Sequence, residues 1–111
     1  MGSIKSSEVK PEVIAQGRTR YLAYTDHLMM VVFDCHDGPA SQPDPLHSHP
    51  HEQISYVVSG KIDLIVGNEV SRLGPGDIFW IPPNIPHGIQ VLTEDVRLVD
   101  TFTPVREDFL K

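Results

Sequence analysis

The chain alternates short apolar runs with turn residues almost from end to end. Seven runs are rich in β-branched or aromatic residues: TRYLAY, LMMVVFDC, QISYVV, KIDLIV, DIFWIP, GIQVL and VRLVDTF. Their spacing is nearly regular, and no helical periodicity separates them. Many short strands at such spacing are typical of antiparallel sandwiches and barrels, so the pattern predicts an all-β fold.

Turn chemistry marks several strand boundaries. Ser59-Gly60 and Gly67-Asn68 predict tight hairpin connections. The segment 73–77, LGPGD, predicts a type II turn, because Pro75 fixes φ and Gly76 tolerates a positive φ.

The two ends of the chain depart from the strand pattern. Residues 1–10 are polar, which predicts a mobile tail or a segment that pairs with a neighbouring subunit. Near the other end, Thr103 as N-cap and Pro104 at the first helical position predict a short helix, with Glu107 and Asp108 in its first turn. The intervening pattern is continuous, so residues 1–111 are predicted to form one domain.

Composition narrows the class of protein. The 111 residues are 40% hydrophobic and 22% charged, as in ordinary soluble domains, and the apolar runs fall far short of the roughly 18 residues of a membrane helix. The net charge is −6 and the basic residues are scattered, which argues against nucleic-acid binding. The single cysteine, Cys35, alternates with Val31 and Phe33, so we expect a buried thiol and a reducing, cytoplasmic setting.

A histidine-rich segment precedes the third apolar run. It reads HSHPHEQ over residues 47–53. On a strand, His47 and His49 face the same side and can converge on one metal ion. Pro50 interrupts the strand, so parity cannot be carried past it to Gln53. A further imidazole, His87, follows the proline-stiffened loop IPPNIP, which restricts the backbone that presents it. The pattern favours a metal site over a surface loop that happens to contain histidines.

These residues carry a resemblance to a known family. The segment 47–60 resembles the first motif of the cupin superfamily, H-x-H-x(3,4)-E-x6-G, and the segment 76–87 resembles its second motif through Gly76, Pro82 and His87. The resemblance covers roughly residues 25–102. It implies a cupin double-stranded β-helix, or jelly-roll barrel, with a metal inside it. The implied metal ligands are His47, His49, Gln53 and His87.

The chain departs from the cupin motifs in several places. Ser41, Asn84 and Val91 replace a glycine, a glycine and an asparagine, and Gln53 stands where the usual ligand is a glutamate. Three imidazoles and an amide would leave a divalent ion its full +2 charge, which favours anionic oxygens as its further partners.

The sequence does not decide the roles of two residues next to Gln53, nor the identity of the metal. Glu52 is the alternative fourth ligand, and His51 is interpreted as a residue at the rim of the pocket. Nitrogen-rich ligation suits nickel, zinc, iron or manganese without choosing among them.

The run from Val96 to Phe102 alternates so that Asp100 shares a face with apolar residues. If that face lines the barrel, Asp100 is placed for proton transfer; the alternative is an aspartate that caps backbone groups at the barrel mouth. Arg106 follows a Pro104 turn that could fold it over the opening to bind a carboxylate, whereas the plain alternative is a solvated charge.

The combination of Gln53 with D-x-F-x-P-x-R-x-D near the C-terminus resembles the KdgF-like cupins of pectin and alginate catabolism. The resemblance implies metal-dependent ring opening of 4,5-unsaturated monouronates, small anionic sugar acids, to linear 5-keto-4-deoxyuronates. It places four residues around the substrate: Gln53, Asp100, Phe102 and Arg106. It also implies a homodimer. Two other functions fit the sequence, a metal-dependent dioxygenase and a non-catalytic cupin that binds a small molecule.

Overall fold

The computed structural model describes residues 2–111, which form nine β-strands and two short 3₁₀ turns. The strands are β1 Glu12–Ala15, β2 Arg18–Tyr24, β3 Met29–Cys35, β4 Glu52–Ser59, β5 Ile62–Val66, β6 Glu69–Leu73, β7 Ile78–Ile81, β8 His87–Val91 and β9 Val96–Thr103. The 3₁₀ turns are Ser6–Glu8 and Glu107–Leu110. The predicted all-β class is confirmed. β1 and β6 were not anticipated as separate strands, because EVIA and EVSRL are short and weakly patterned.

The strands form two antiparallel sheets that pack face to face. The larger has the order β1-β2-β3-β9-β4-β7 and the smaller β6-β5-β8. Four of the neighbouring pairs, β3-β9, β9-β4, β4-β7 and β5-β8, come from distant parts of the sequence, as in a jelly-roll barrel. The main core lies between the sheets and includes Val57, Ile62, Val91 and the fully buried Cys35, as the alternation around that thiol predicted.

The central strands of the larger sheet keep strict two-residue alternation. In β4, Gln53, Ser55 and Val57 face the interior while Ile54 and Tyr56 are exposed. In β9 the even-numbered residues face inward, and three of them are nearly fully buried: Val96, Leu98 and Phe102. The inward face of β9 is the face on which the sequence analysis grouped Asp100 with apolar residues.

Two of the three turn predictions are confirmed. Gly76 has φ 92° and the Asp77 amide donates to the Gly74 carbonyl at 3.1 Å, as in a type II turn. Gly67-Asn68 joins the paired strands β5 and β6. The hairpin predicted at Ser59-Gly60 is wrong, because β4 and β5 belong to different sheets and the chain crosses between them there.

The helix predicted from Thr103 is also wrong. Strand β9 extends through Thr103, which pairs with Glu52 of β4, so the sheet takes the residue proposed as the N-cap. The chain then forms a 3₁₀ turn from Glu107 to Leu110, whose Phe109 packs on the buried cluster of Met29, Val31 and Phe102. Ring packing against the barrel therefore places this segment.

Within residues 2–111 no helix is long and apolar enough to cross a membrane. The single-domain prediction and the mobile segment predicted for residues 1–10, whose Met1 lies outside the described residues, stay predictions.

Candidate metal centre

Backbone pairing brings two of the three predicted histidine ligands side by side. His47 lies outside the named strands, yet its amide donates to the His87 carbonyl at 2.9 Å and its carbonyl accepts from the His87 amide at 2.8 Å. The two rings are consequently 4.4 Å apart. One nitrogen from each of His47, His49 and His87 lies within 4.8 Å of the others, a spacing suited to a shared metal ion.

The loop before β8 holds the third histidine in place. Asn84 adopts φ 64°, the left-handed conformation, and its backbone N–H donates to the His49 carbonyl at 2.8 Å. Asparagine tolerates this region better than most residues, so it can replace the glycine of the family motif here. The proline-stiffened loop thus fixes the backbone of both His49 and His87.

The hydrogen bonds of His87 leave one ring nitrogen for a metal. Its Nδ1 lies 2.8 Å from the Ile85 carbonyl oxygen, so Nδ1 carries the proton and donates it. Its Nε2 is buried and has no hydrogen-bond partner within the described residues. A backbone contact at one nitrogen and an unpartnered lone pair at the other are typical of metal-binding histidines.

His49 lies between two acceptor oxygens. Its Nδ1 is 3.1 Å from the His51 carbonyl and its Nε2 is 3.1 Å from Gln53 Oε1. A neutral imidazole has one N–H and satisfies only one of these oxygens. A second proton is disfavoured, because burial lowers the pKa of His49. A cation bound by Nε2 and Oε1 together would remove the conflict, so these residues fit a metal.

Electrostatics keep the three imidazoles neutral near pH 7. Burial is the largest cause lowering the pKa of His47, His49 and His87, and the Arg106 guanidinium contributes to all three. Only an unprotonated imidazole nitrogen binds a metal, so this environment favours binding over protonation.

An aspartate lies two hydrogen bonds from Gln53, and three from His49. Gln53 Nε2 donates to Ser55 Oγ at 3.0 Å, and Ser55 Oγ donates to Asp100 Oδ1 at 2.6 Å. Burial raises the pKa of Asp100 to about 6, although the Ser55 hydroxyl and the Arg106 charge act in the opposite direction. A carboxyl group with such a pKa can both give and take a proton near neutrality.

Three of the four predicted metal ligands line one cavity of about 240 Å³ together with an aspartate and an arginine. Its polar wall includes His47, His87, Gln53, Asp100 and Arg106. The Arg106 guanidinium lies 5.2 Å from the Phe102 ring centre and 4.0 Å from that of Phe109. The turn after β9 therefore folds Arg106 back toward the cavity. This is the arrangement that the carboxylate-binding alternative required, in place of a solvated charge.

The structure shows where the two neighbours of Gln53 lie whose roles the sequence left undecided. Glu52 is exposed and lies on the outward face of β4, away from the cavity, whereas Gln53 faces inward. The His51 ring lies beside His49, with 5.5 Å between ring centres. Its Nδ1 has no partner within the described residues.

Sequence reasoning missed two features of the site. The first is the link that Ser55 makes between Gln53 and Asp100, which depends on the β4–β9 register, in which Ser55 pairs with Asp100. Arg20 also lines the cavity and lies 4.0 Å from the Phe109 ring centre. No motif marks Arg20, which reaches the site from β2, two strands away from β9 in the larger sheet.

A barrel of two antiparallel sheets with a histidine cluster inside one end is the architecture of cupins. The cupin domain model matches residues 35–102, and the chain belongs to the cupin family.

Individual relatives narrow the resemblance. The pectin degradation protein KdgF of Dickeya dadantii is 35% identical over 94 residues, covering 84% of this chain and 83% of that protein. The structure of KdgF from Halomonas sp. superposes with a TM-score of 0.88 at 33% identity, covering 98% of this chain and 99% of that one. An RmlC-like cupin from Shewanella frigidimarina gives a TM-score of 0.85 at 34% identity, covering 96% and 93%. The chain is thus similar to KdgF proteins over nearly its whole length.

Proposed function

We propose that this protein opens the ring of 4,5-unsaturated monouronates, giving linear 5-keto-4-deoxyuronates, with the help of a divalent metal. The single observation that carries the proposal is one cavity holding a histidine cluster, an aspartate with a pKa near 6, and an arginine. Similarity to KdgF proteins, one of them named for pectin degradation, supports a sugar acid as the substrate.

The proposed metal ligands are His47, His49, Gln53 and His87, with nickel, zinc, iron and manganese as the candidate ions. When bound by these residues, the metal would supply Lewis-acid chemistry to the anionic substrate. The neutral amide of Gln53 leaves the ion its full charge, which suits an anionic substrate.

Arg106 and Phe102 bind and orient the sugar acid in this proposal. Arg106 Nε and Nη2 are engaged by Asp108 at 3.3 and 2.8 Å, so the Nη1 amino group is left to pair with the substrate carboxylate. Phe102, stacked below the guanidinium, offers an apolar surface to the ring. Fixed orientation lowers the entropic cost of reaching the reactive geometry.

Asp100 moves the proton. In the proposed route C4 gains a proton, water adds its oxygen at C5, and the bond from C5 to the ring oxygen breaks. The ring oxygen stays on C1 as a hydrated aldehyde, which then loses water, so no net water is consumed. Ser55 donates to Oδ1 of Asp100, which leaves Oδ2 as the oxygen that gives a proton or accepts one from the attacking water. Burial of the carboxyl keeps it partly protonated near neutral pH.

The direct test follows the vinylic proton of freshly prepared unsaturated monouronate by NMR. We expect the signal to disappear faster with the intact protein than with chelator-treated protein, and the linear keto acid to accumulate. An unchanged decay rate with metal-loaded protein would overturn the proposal. The same assay without oxygen separates ring opening, which needs no O₂, from an oxygenase reaction.

We further propose that the protein forms a homodimer through the outer face of its larger sheet. Register places two rows of uncharged side chains across strands β3, β9, β4 and β7. The first row is Met30, Thr101, Ile54 and Trp80, and the second is Val32, Val99, Tyr56 and Ile78. Five of these side chains are at least 45% exposed. Contiguous apolar surface is unusual on monomers. In a chain of net charge −6, a patch without ionised groups is where a second copy can approach without repulsion.

The mutation Ile54→Glu should convert this dimer to a monomer, because it places like charges opposite each other across a twofold axis. Light scattering should give twice the 12.4 kDa chain mass for the wild type and one chain mass for the variant. Val70→Glu, at a 64% exposed valine on β6 of the other sheet, is the matched control and should stay dimeric. A monomeric wild type or a dimeric Ile54→Glu protein would rule out this interface.

A further inference from the structure

The interior of the barrel contains a directional chain of hydrogen bonds that starts at a proposed metal ligand. Gln53 and Ser55 lie on β4, and Asp100 lies on the neighbouring strand β9 of the same sheet. Ser55 is directly paired with Asp100 in the β4–β9 register. The Gln53 amide nitrogen donates to Ser55 at 3.0 Å, and the Ser55 hydroxyl donates to Asp100 at 2.6 Å. Ser55 is 2% exposed, so water does not readily replace either bond.

The direction of this chain follows from the single proton of the serine hydroxyl. Asp100 Oδ1 accepts that proton, so Ser55 can offer Gln53 only a lone pair. The amide group of Gln53 must therefore point its NH₂ toward Ser55. Its carbonyl oxygen then faces the opposite way, 3.1 Å from His49 Nε2.

We propose that Ser55 is a positioning residue that holds the Gln53 amide with its oxygen toward the metal. The inference rests on the proposed function, because it takes Gln53 as the fourth metal ligand. An amide can present either oxygen or nitrogen to a cation, and only the oxygen binds. The Ser55 hydroxyl makes that choice by accepting from the nitrogen.

The same chain gives a physical reason for glutamine at position 53. A glutamate there has no N–H, so its carboxylate and that of Asp100 would compete for one serine proton. Two adjacent carboxylates also raise each other's pKa. Glutamine lets the metal site and Asp100 share Ser55 without that competition.

A double-mutant cycle tests the proposal with Zn²⁺ affinity, measured by competition with a chromophoric chelator. The four proteins are the wild type, Ser55→Ala, Gln53→Glu and the double variant. In the glutamine background, Ser55→Ala should weaken Zn²⁺ binding by about 10-fold or more, as loss of an outer partner of a ligand typically does. In the glutamate background the same change should have little effect, because the two carboxylate oxygens are equivalent and need no orienting donor or acceptor.

Equal losses in both backgrounds would show that Ser55 acts only through packing, and no loss in the glutamine background would show that it does not orient Gln53. Either result overturns the proposal. Ser71→Ala, at an exposed serine on β6 of the other sheet, is the matched control for loss of a hydroxyl and should keep the wild-type Zn²⁺ affinity. None of these readouts uses turnover. The role of Ser55 can therefore be disproved while the proposed reaction stands, and the proposed reaction can be disproved while the role of Ser55 stands.

Discussion

Replacement of Asp100 by asparagine is expected to slow conversion of the unsaturated monouronate by about 10²–10⁴-fold, the usual contribution of a positioned acid or base. The amide cannot give or take the proton that ring opening requires at C4. It is nearly the same size as the carboxyl and keeps an oxygen for the Ser55 hydroxyl, which donates to Oδ1 at 2.6 Å in the native site. Metal content should consequently remain at the wild-type level.

Two measurements on the same samples check this expectation, the NMR decay of the vinylic proton and the metal content by atomic emission. Asp26→Asn, at an exposed aspartate remote from the cavity, is the matched control and should change neither. Loss of metal from Asp100→Asn would make Asp100 a structural residue. Wild-type turnover with full metal content would show that Asp100 does not transfer the proton.

The fold and the residues of the site were largely predictable, because both depend on two-residue alternation. Alternation placed Asp100 on one face of its strand with apolar residues, and the structure turns that face inward. In β4 the same two-residue alternation buries Gln53 and Ser55. The spacing of His47, His49 and His87 within two motifs identified the cluster, which the structure brings within 4.8 Å.

What could not be predicted depends on pairing between distant strands. Nothing local distinguishes the Ser59-Gly60 corner between sheets from a hairpin, since a glycine with positive φ serves both. A Cβ at Gly60 would lie 2.2 Å from the Asp95 carbonyl oxygen, a contact that only the folded barrel creates. Thr103 likewise has a good N-cap side chain, but pairing with Glu52 keeps it in the sheet.

The β4–β9 register explains how one small barrel joins two kinds of chemistry. Gln53 pairs with Phe102, and Ser55 pairs with Asp100. Two consecutive inward positions on each strand therefore place a proposed metal ligand beside an apolar ring, and a hydroxyl beside an acid. A shift of one strand by one residue would turn both of its inward side chains to the outer face. The register is held by apolar partners farther along the strands, such as Val57 opposite Leu98.

Removal of the His87 imidazole is expected to abolish metal binding and the stability that comes with it. In His87→Ala the ring with the buried, unpartnered Nε2 is gone, and two histidines and an amide remain. With Zn²⁺ at a hundred times its Kd, the wild type should gain about 2.7 kcal/mol of folding free energy. For a domain of this size the Tm should rise by roughly 10 °C or more.

Each variant is compared with its own metal-free form by thermal unfolding, which cancels the packing lost when a side chain only 4% exposed is truncated. We expect no Zn²⁺-dependent rise in Tm for His87→Ala and a full rise for His36→Ala. His36 is a fair control because it is an exposed histidine, paired with Asp95 at 2.6 Å on the surface. A full Zn²⁺-dependent rise in Tm for His87→Ala would show that the metal binds elsewhere. The absence of any rise for the wild type would show that the protein does not hold the proposed metal. Because the comparison needs no substrate, it tests the centre on which both the ring-opening chemistry and the role of Ser55 depend.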